Sequence, residues 1–130
     1  MTTTDLIIIG AGPGGYHTAG YAAKHGLQVV IIEKGELGGT CLNVGCIPTK
    51  SFAHDADLYR NPLVPKSENG IDFKPILERK NQVVAQLVSG IATLLSQPGI
   101  TLVKGEAHFV DAHTVEVGGE QYTAKNILIA

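Results

Sequence analysis

The 130-residue chain has no block of basic residues, and its formal net charge is −2. That balance argues against a nucleic-acid partner, whose phosphates demand a positive surface. There is no run of about 18 or more apolar residues, so no membrane span is expected. No signal peptide is expected either, because Met1-Thr2-Thr3-Thr4-Asp5 lacks a basic region and leads straight into an apolar strand. The expected location is cytoplasmic, hence reducing. No internal repeat or low-complexity tract is present. Cysteine is scarce, with two in the whole chain, and in a reducing compartment a disulfide between them is catalytic or redox-sensing rather than a staple. What is abundant is apolar side chain, 44% of residues. That suffices for one globular domain with a real core rather than a disordered chain.

Leu6-Ile7-Ile8-Ile9 is a continuous apolar run ending in glycine, the pattern of a strand buried on both faces of a parallel sheet. Gly10 to Gly15 reads as a turn. Tyr16 to His25 reads as a helix with small residues at Ala19, Gly20, Ala22 and Ala23, and Gly26 as its stop. Gln28 to Ile32 is a second buried strand, closed by Glu33, which completes a βαβ unit. Further on, Lys50 to Tyr59 reads as helix and Asn61-Pro62-Leu63-Val64-Pro65 as loop. Pro75 to Ser96 reads as a long helix whose apolar stripe runs through Ile76, Leu77, Val83, Val84, Leu87, Val88, Ile91, Leu94 and Leu95, with Pro98-Gly99 ending it. Short strands are expected at Ile100 to Lys104, Ala107 to Val110 and Thr114 to Val117, followed by a hairpin turn at Gly118-Gly119. Asn126 to Ala130 is another buried-strand pattern. The expected fold class is α/β: a Rossmann-like domain with a parallel sheet, helices and a small antiparallel β-meander. A central strand normally leads on to a covering helix, so the domain is expected to be incomplete at its C-terminus.

The turn after the first strand is Gly10-x-Gly12-x-x-Gly15. Gly10 permits the tight exit from the strand, Gly12 lets a pyrophosphate approach the backbone, and Gly15 lets helix pack closely on strand. The helix start offers free N–H groups and a positive dipole end to phosphate. Glu33 lies 18 residues past Gly15, at the end of the second strand. It is placed to accept hydrogen bonds from ribose hydroxyls, and its charge disfavours a 2′-phosphate. The pattern indicates dinucleotide binding without separating FAD from NAD.

Cys41 and Cys46 are five positions apart. They could be inert buried residues. As metal ligands they lack a His or a further Cys at ligand spacing, so no metal site is expected. A redox disulfide is the third reading. Residues five apart in an ideal helix have Cα atoms about 8.6 Å apart, whereas a disulfide needs about 4.4–6.8 Å. A disulfide therefore requires a distorted segment, to which Gly45 and Pro48 are suited. Spacing alone leaves the inert and redox readings open.

The run Gly38-Gly39-Thr40-Cys41-Leu42-Asn43-Val44-Gly45-Cys46-Ile47-Pro48-Thr49-Lys50 resembles, nearly letter for letter, the redox-active segment of the pyridine nucleotide–disulfide oxidoreductases. Leu42, Ile47 and the later Gly90-Ile91-Ala92-Thr93-Leu94-Leu95 are most similar to the dihydrolipoyl dehydrogenase branch; mercuric or glutathione reductase is the alternative within the family. The resemblance spans essentially the whole chain but only the first part of the family's longer chains, and it is least typical from Ser51 to Asn69. It implies that residues 1–130 are the first segment of an FAD-binding domain, with the NAD-binding and dimerisation domains absent.

The resemblance further implies FAD at the glycine turn. Gly10, Gly12, Pro13, Gly14 and Gly15 would line its pyrophosphate, Glu33 and Lys34 its adenosine ribose, Gly39, Thr40 and Gly45 the length of the cofactor, and the Ala107 backbone the adenine edge. Cys41 would be the interchange thiol, Cys46 the charge-transfer thiolate against the flavin, and Lys50 a cation near flavin N5. Outside the motif, Lys50 reads as a solvated lysine, Lys34 as surface, Ala107 as an ordinary strand residue and Thr40 as a helix cap. In the family's full-length homodimers electrons pass between a dithiol substrate and NAD through the disulfide and FAD. For this branch the substrate is a lipoyl group on a 2-oxo acid dehydrogenase or glycine cleavage component. None of His17, His25, His54, His108 and His113 matches the family's acid–base histidine, so the chain alone is expected to be inactive. A non-catalytic nucleotide-binding fragment and an NAD-dependent Rossmann dehydrogenase are the other classes. The cysteine run speaks against both, while the expected truncation speaks for the first.

Overall fold

The Leu6–Ile9 run occupies the middle of a six-stranded sheet whose order across is Ile100–Lys104 (β3), Val29–Glu33 (β2), Thr2–Ile9 (β1), Glu120–Ile129 (β6), Thr114–Val117 (β5) and His108–Phe109 (β4). The computed structural model describes residues 1–130. Strand β1 (Thr2–Ile9) pairs in parallel with β2 (Val29–Glu33), Leu6 opposite Val29 through Ile9 opposite Ile32. Helix α1 (Pro13–Lys24) makes the crossover between them. Beyond β2 the chain forms α2 (Gly39–Asn43), α3 (Cys46–Arg60) and α4 (Phe73–Leu95), then returns to the sheet as β3 (Ile100–Lys104), parallel to β2. Strands β4 (His108–Phe109), β5 (Thr114–Val117) and β6 (Glu120–Ile129) form an antiparallel meander, and β6 also runs parallel to β1 along its length. The expected α/β architecture is present.

Side chains alternate across a strand, so these apolar runs feed two cores. Ile8, Val29 and Ile31 face the helices and pack with Ala19, Ala22, Ile91 and Leu95. Ile7, Val30 and Ile32 face the other way, onto Val115, Val117, Tyr122 and Ala124 of the meander. A Cβ on Gly105, just past β3, would lie 2.5 Å from Val117 Cγ1. The meander therefore curls back over β1 and β2 to reach the end of β3, which is why one face needs no helix. Ile31 has no exposed surface. Ile31→Ala should cost about 2–5 kcal/mol, the usual range for emptying a buried branched site; a urea titration in which its midpoint matched wild type would contradict this packing.

Several boundaries differ from the sequence-based expectations, each for a local reason. Helix α1 starts at Pro13 rather than Tyr16, because proline at the first helical position has no N–H to waste. Helix α4 starts at Phe73 rather than Pro75, because the Asp72 carboxylate accepts from Lys74 N–H at 3.0 Å and caps it. Strand β4 shrinks to two residues. Strand β6 begins at Glu120 rather than Asn126: its polar first half alternates with Tyr122 and Ala124, which reach the meander core. The expectation of full burial fails at the end of β6, where Ile129 is 72% exposed.

Arg79 on α4 ties down α3. It pairs with the Asp55 carboxylate at 2.9 Å and donates to the Ser51 carbonyl at 3.2 Å. No helix is long and apolar enough to cross a membrane.

Candidate functional site

The ends of β1 and β2, where the parallel strands stop and the helices begin, carry the glycine turn. Gly10 leaves β1 with φ +103°, and a side chain there would strike the Ala130 carbonyl. A side chain on Gly15 would strike the Gly10 carbonyl, and Ile8 lies just beyond it. Gly15 thus sets how closely α1 sits on β1. Gly12 is the N-cap of α1 and contributes no side-chain bond, so the first-turn N–H groups of the helix stay uncovered.

Ala11 fixes this turn from two directions. Its N–H donates to Glu33 Oε2 at 2.7 Å, and its carbonyl accepts from Gly38 N–H at 2.9 Å. The first bond ties the turn to the end of β2, the second to the start of α2. Gly39 consequently backs onto Gly12: a Cβ on Gly39 would lie 2.9 Å from Gly12 Cα and 3.2 Å from Pro13 Cδ. The N-cap of α2 is Gly38, so Thr40 is not the cap; it lies exposed in the first turn.

Beside the turn lies a cavity of about 310 Å³. Its lining includes Gly10, Glu33, Lys34 and Ala107, four residues assigned to a dinucleotide in the sequence, together with Gly105, Glu106 and Ala130. Glu33 Oε1 accepts from Gly35 N–H at 2.7 Å. Each carboxylate oxygen thus holds one backbone N–H and keeps further acceptor capacity for hydroxyls. Lys34 Nζ reaches Glu106 Oε1 at 3.1 Å. The hydrogen bond from Lys34 and its charge, with a smaller contribution from His108, hold the Glu106 carboxyl below the usual carboxylate range. A depressed folded-state value means the pair is intact at neutral pH and is lost as pH falls through that lowered value.

The cysteines lie on either side of a helix break. Cys41 is inside α2, Cys46 opens α3, and the two are bonded as a disulfide with Cα atoms 4.7 Å apart. Val44-Gly45 makes the break. A Cβ on Gly45 would meet Cys41 Cα and the Thr40 carbonyl oxygen, each at 3.0 Å. A side chain there would press on the backbone of the turn before it, so glycine suits the tight fold-back, and Pro48 fits the first turn of α3, where it breaks no helical bond. The distortion that a disulfide at this spacing demands is thus present. Both cysteines are exposed. Asn43 keeps α2 in place, its Nδ2 donating to the Leu37 and Gly39 carbonyls at 2.9 and 3.0 Å.

Lys50 is exposed on α3, four residues after Cys46 and so on the same helix face. It lines a second cavity, about 320 Å³, between α3 and α4 with His54 and Arg79. The first cavity adjoins the glycine turn through Gly10, and the Gly12–Gly39 contact joins the turn to α2. Lys50 is not among the residues lining that cavity; it lines the one between α3 and α4. No cluster of three His, Cys, Asp or Glu side chains occurs. Sequence reasoning missed Glu106 and Arg79, whose partners are 72 and 24 residues away.

A family profile described as pyridine nucleotide-disulphide oxidoreductase matches residues 4–130. The chain belongs to this family. The dihydrolipoyl dehydrogenase of Mycoplasma pneumoniae is 43% identical over 133 residues, covering 97% of this chain and 29% of that protein. The dihydrolipoyl dehydrogenase of Geobacillus stearothermophilus is 45% identical over 137 residues, covering 98% of this chain and 29% of its own. Among solved structures, the Cu(II) complex of the HOCl-induced flavoprotein disulfide reductase RclA from Escherichia coli superposes with a TM-score of 0.87 at 34% identity, over 100% of this chain and 29% of that one. The chain therefore spans under a third of the length of these relatives.

Proposed function

We propose that this chain is the FAD-binding and redox-disulfide segment of a dihydrolipoyl dehydrogenase-like enzyme, passing electrons between a lipoyl-type dithiol and NAD. One observation carries the reading: a bonded Cys41–Cys46 pair joins α2 to α3, and the start of α2 is packed against a dinucleotide-type glycine turn. The residues fit FAD on steric grounds, since Gly12 and Gly39 leave no side chain over the α1 N-terminus and the cavity beside Glu33 suits an adenosine. Gly10, Gly12, Pro13, Gly14 and Gly15 would hold the pyrophosphate, Glu33 and Lys34 the ribose, Ala107 the adenine edge, and Gly39, Thr40, Gly45 and Lys50 the remainder.

When bound, FAD supplies the two-electron step between the dithiol pair and the nicotinamide. The chain's own part is thiol–disulfide exchange. A substrate thiolate attacks Cys41 Sγ, a mixed disulfide forms, and Cys46 leaves as thiolate. The second substrate thiolate then attacks its own sulfur of that mixed disulfide and releases Cys41 as thiolate. The substrate dithiol is oxidised to its disulfide, the cysteine pair gains the two electrons, and the substrate's two thiol protons are released. Cys46 is the better leaving group because it sits at the N-terminus of the 15-residue α3, whose dipole favours an anionic sulfur. Lys50, one turn on, adds positive charge to the same face.

In this reading the substrate is a lipoyl group carried by a 2-oxo acid dehydrogenase or glycine cleavage component, the full-length enzyme is a cytoplasmic homodimer, and the NAD-binding and dimerisation domains lie outside residues 1–130. A second reading, a disulfide reductase with another substrate, draws support from the RclA likeness. The test is a visible spectrum of the purified chain with added FAD, before and after anaerobic dihydrolipoamide. Weak FAD binding and a long-wavelength charge-transfer band on reduction are expected, without NAD-linked turnover by the chain alone. A spectrum of free FAD throughout would overturn the assignment of this site to the cofactor.

A further inference from the structure

The wall of the cavity beside the glycine turn carries two carboxylates and one ammonium: Glu33, Glu106 and Lys34. They stand on two segments held side by side. Gly105 N–H donates to the Glu33 carbonyl at 3.0 Å, and the Lys104 ammonium donates to the Gly35 carbonyl. Across this seam Lys34 has one hydrogen-bond partner, Glu106. Glu33 is occupied otherwise, by the N–H groups of Ala11 and Gly35.

We propose that Glu106 is a specificity-determining residue of this cavity: held against Lys34, it cancels the cation that would otherwise attract a phosphate on the adenosine ribose, and leaves Glu33 to reject 2′-phosphorylated adenine nucleotides. The inference rests on the reading that this cavity takes an adenosine. The rim then carries one net negative charge facing a ligand group that is itself a dianion. Were Lys34 free, it would stand next in sequence to the ribose-facing carboxylate, close to where dinucleotide sites that accept a 2′-phosphate place a cation. Both side chains of the pair are well exposed, 71% and 60%, so the pair adds little to folding. Its consequence falls on the charge of the ligand.

The experiment titrates the whole chain with adenosine 5′-monophosphate and with adenosine 2′,5′-bisphosphate, at low and at high salt. Wild type should prefer the monophosphate. Glu106→Gln should raise bisphosphate affinity about five- to tenfold at low salt, with the gain fading as salt screens it, and should leave the monophosphate within about twofold. Lys34→Gln should not raise it, and in the double variant the gain should vanish. An unchanged preference in Glu106→Gln, or an equal gain for both ligands, would show that Glu33 alone discriminates. A wild-type chain that binds neither nucleotide would remove the adenosine reading and this inference together. A chain that binds the monophosphate but shows no effect of Glu106 removes the inference and leaves the reading standing.

Discussion

Gly39→Ala should weaken FAD binding by about 100-fold or more, a loss of about 2.7 kcal/mol in affinity. Two effects act together there. The residue has φ +73°, where an alanine is strained by roughly 1–2 kcal/mol. Its Cβ would also lie 2.9 Å from Gly12 Cα, backbone against backbone, with Pro13 Cδ at 3.2 Å. No rotamer relieves that contact, so α2 must lift off the glycine turn and carry the cysteine segment with it. Gly26→Ala is the matched control: it has φ +86° and no atom within 4 Å. It shares the strain without the close approach, so it should lower the urea midpoint and leave FAD binding unchanged. The comparison needs fluorescence titrations with FAD and unfolding curves for both variants. Equal loss of binding in the two would mean that the effect is destabilisation alone, and that the Gly12–Gly39 junction has no special part.

That junction was only half legible in the sequence. Gly10, Gly12 and Gly15 announce themselves by spacing after the Leu6–Ile9 run, because each serves a local backbone need. The break between the cysteines is also deducible: a helix cannot close a disulfide over five positions, and Gly45 is the residue that allows the chain to turn. The contact of Gly39 with Gly12 is not deducible from residue spacing, since it depends on how the segment after β2 returns to the turn. The same holds for Lys34 with Glu106, which meet only because β2 pairs with β3, Glu33 opposite Lys104. In β6 the reason is different. The apolar end, Ile127-Leu128-Ile129, reads as the buried strand, while the alternation of Tyr122 and Ala124 with polar neighbours carries the period of a strand covered on one face. Its apolar end is the more exposed half, as Ile129 shows.

Cys41→Ser and Cys46→Ser should each abolish two-electron exchange with a dithiol, because neither variant can close the pair. They should not be equivalent in what remains. Cys41→Ser leaves Cys46 as the first residue of α3, behind Gly45, which supplies no side-chain cap. The uncovered N–H groups and dipole of a 15-residue helix then act on the sulfur and favour its anion. Cys46→Ser leaves Cys41 inside α2, a helix of five residues, a little over one turn. Iodoacetamide at neutral pH should therefore alkylate Cys46 faster than Cys41, by about five- to tenfold for a dipole effect of this kind. Exposure does not confound the comparison, because both cysteines are exposed. In the proposed function the same asymmetry would set the direction of exchange. A disulfide breaks more readily at the sulfur whose partner leaves as the more stable thiolate, so an incoming thiolate would be steered onto Cys41 and Cys46 would be released on the face it shares with Lys50. Equal alkylation rates, or a faster Cys41, would remove the physical basis for this direction and with it the assignment of Cys41 as the residue that meets the substrate.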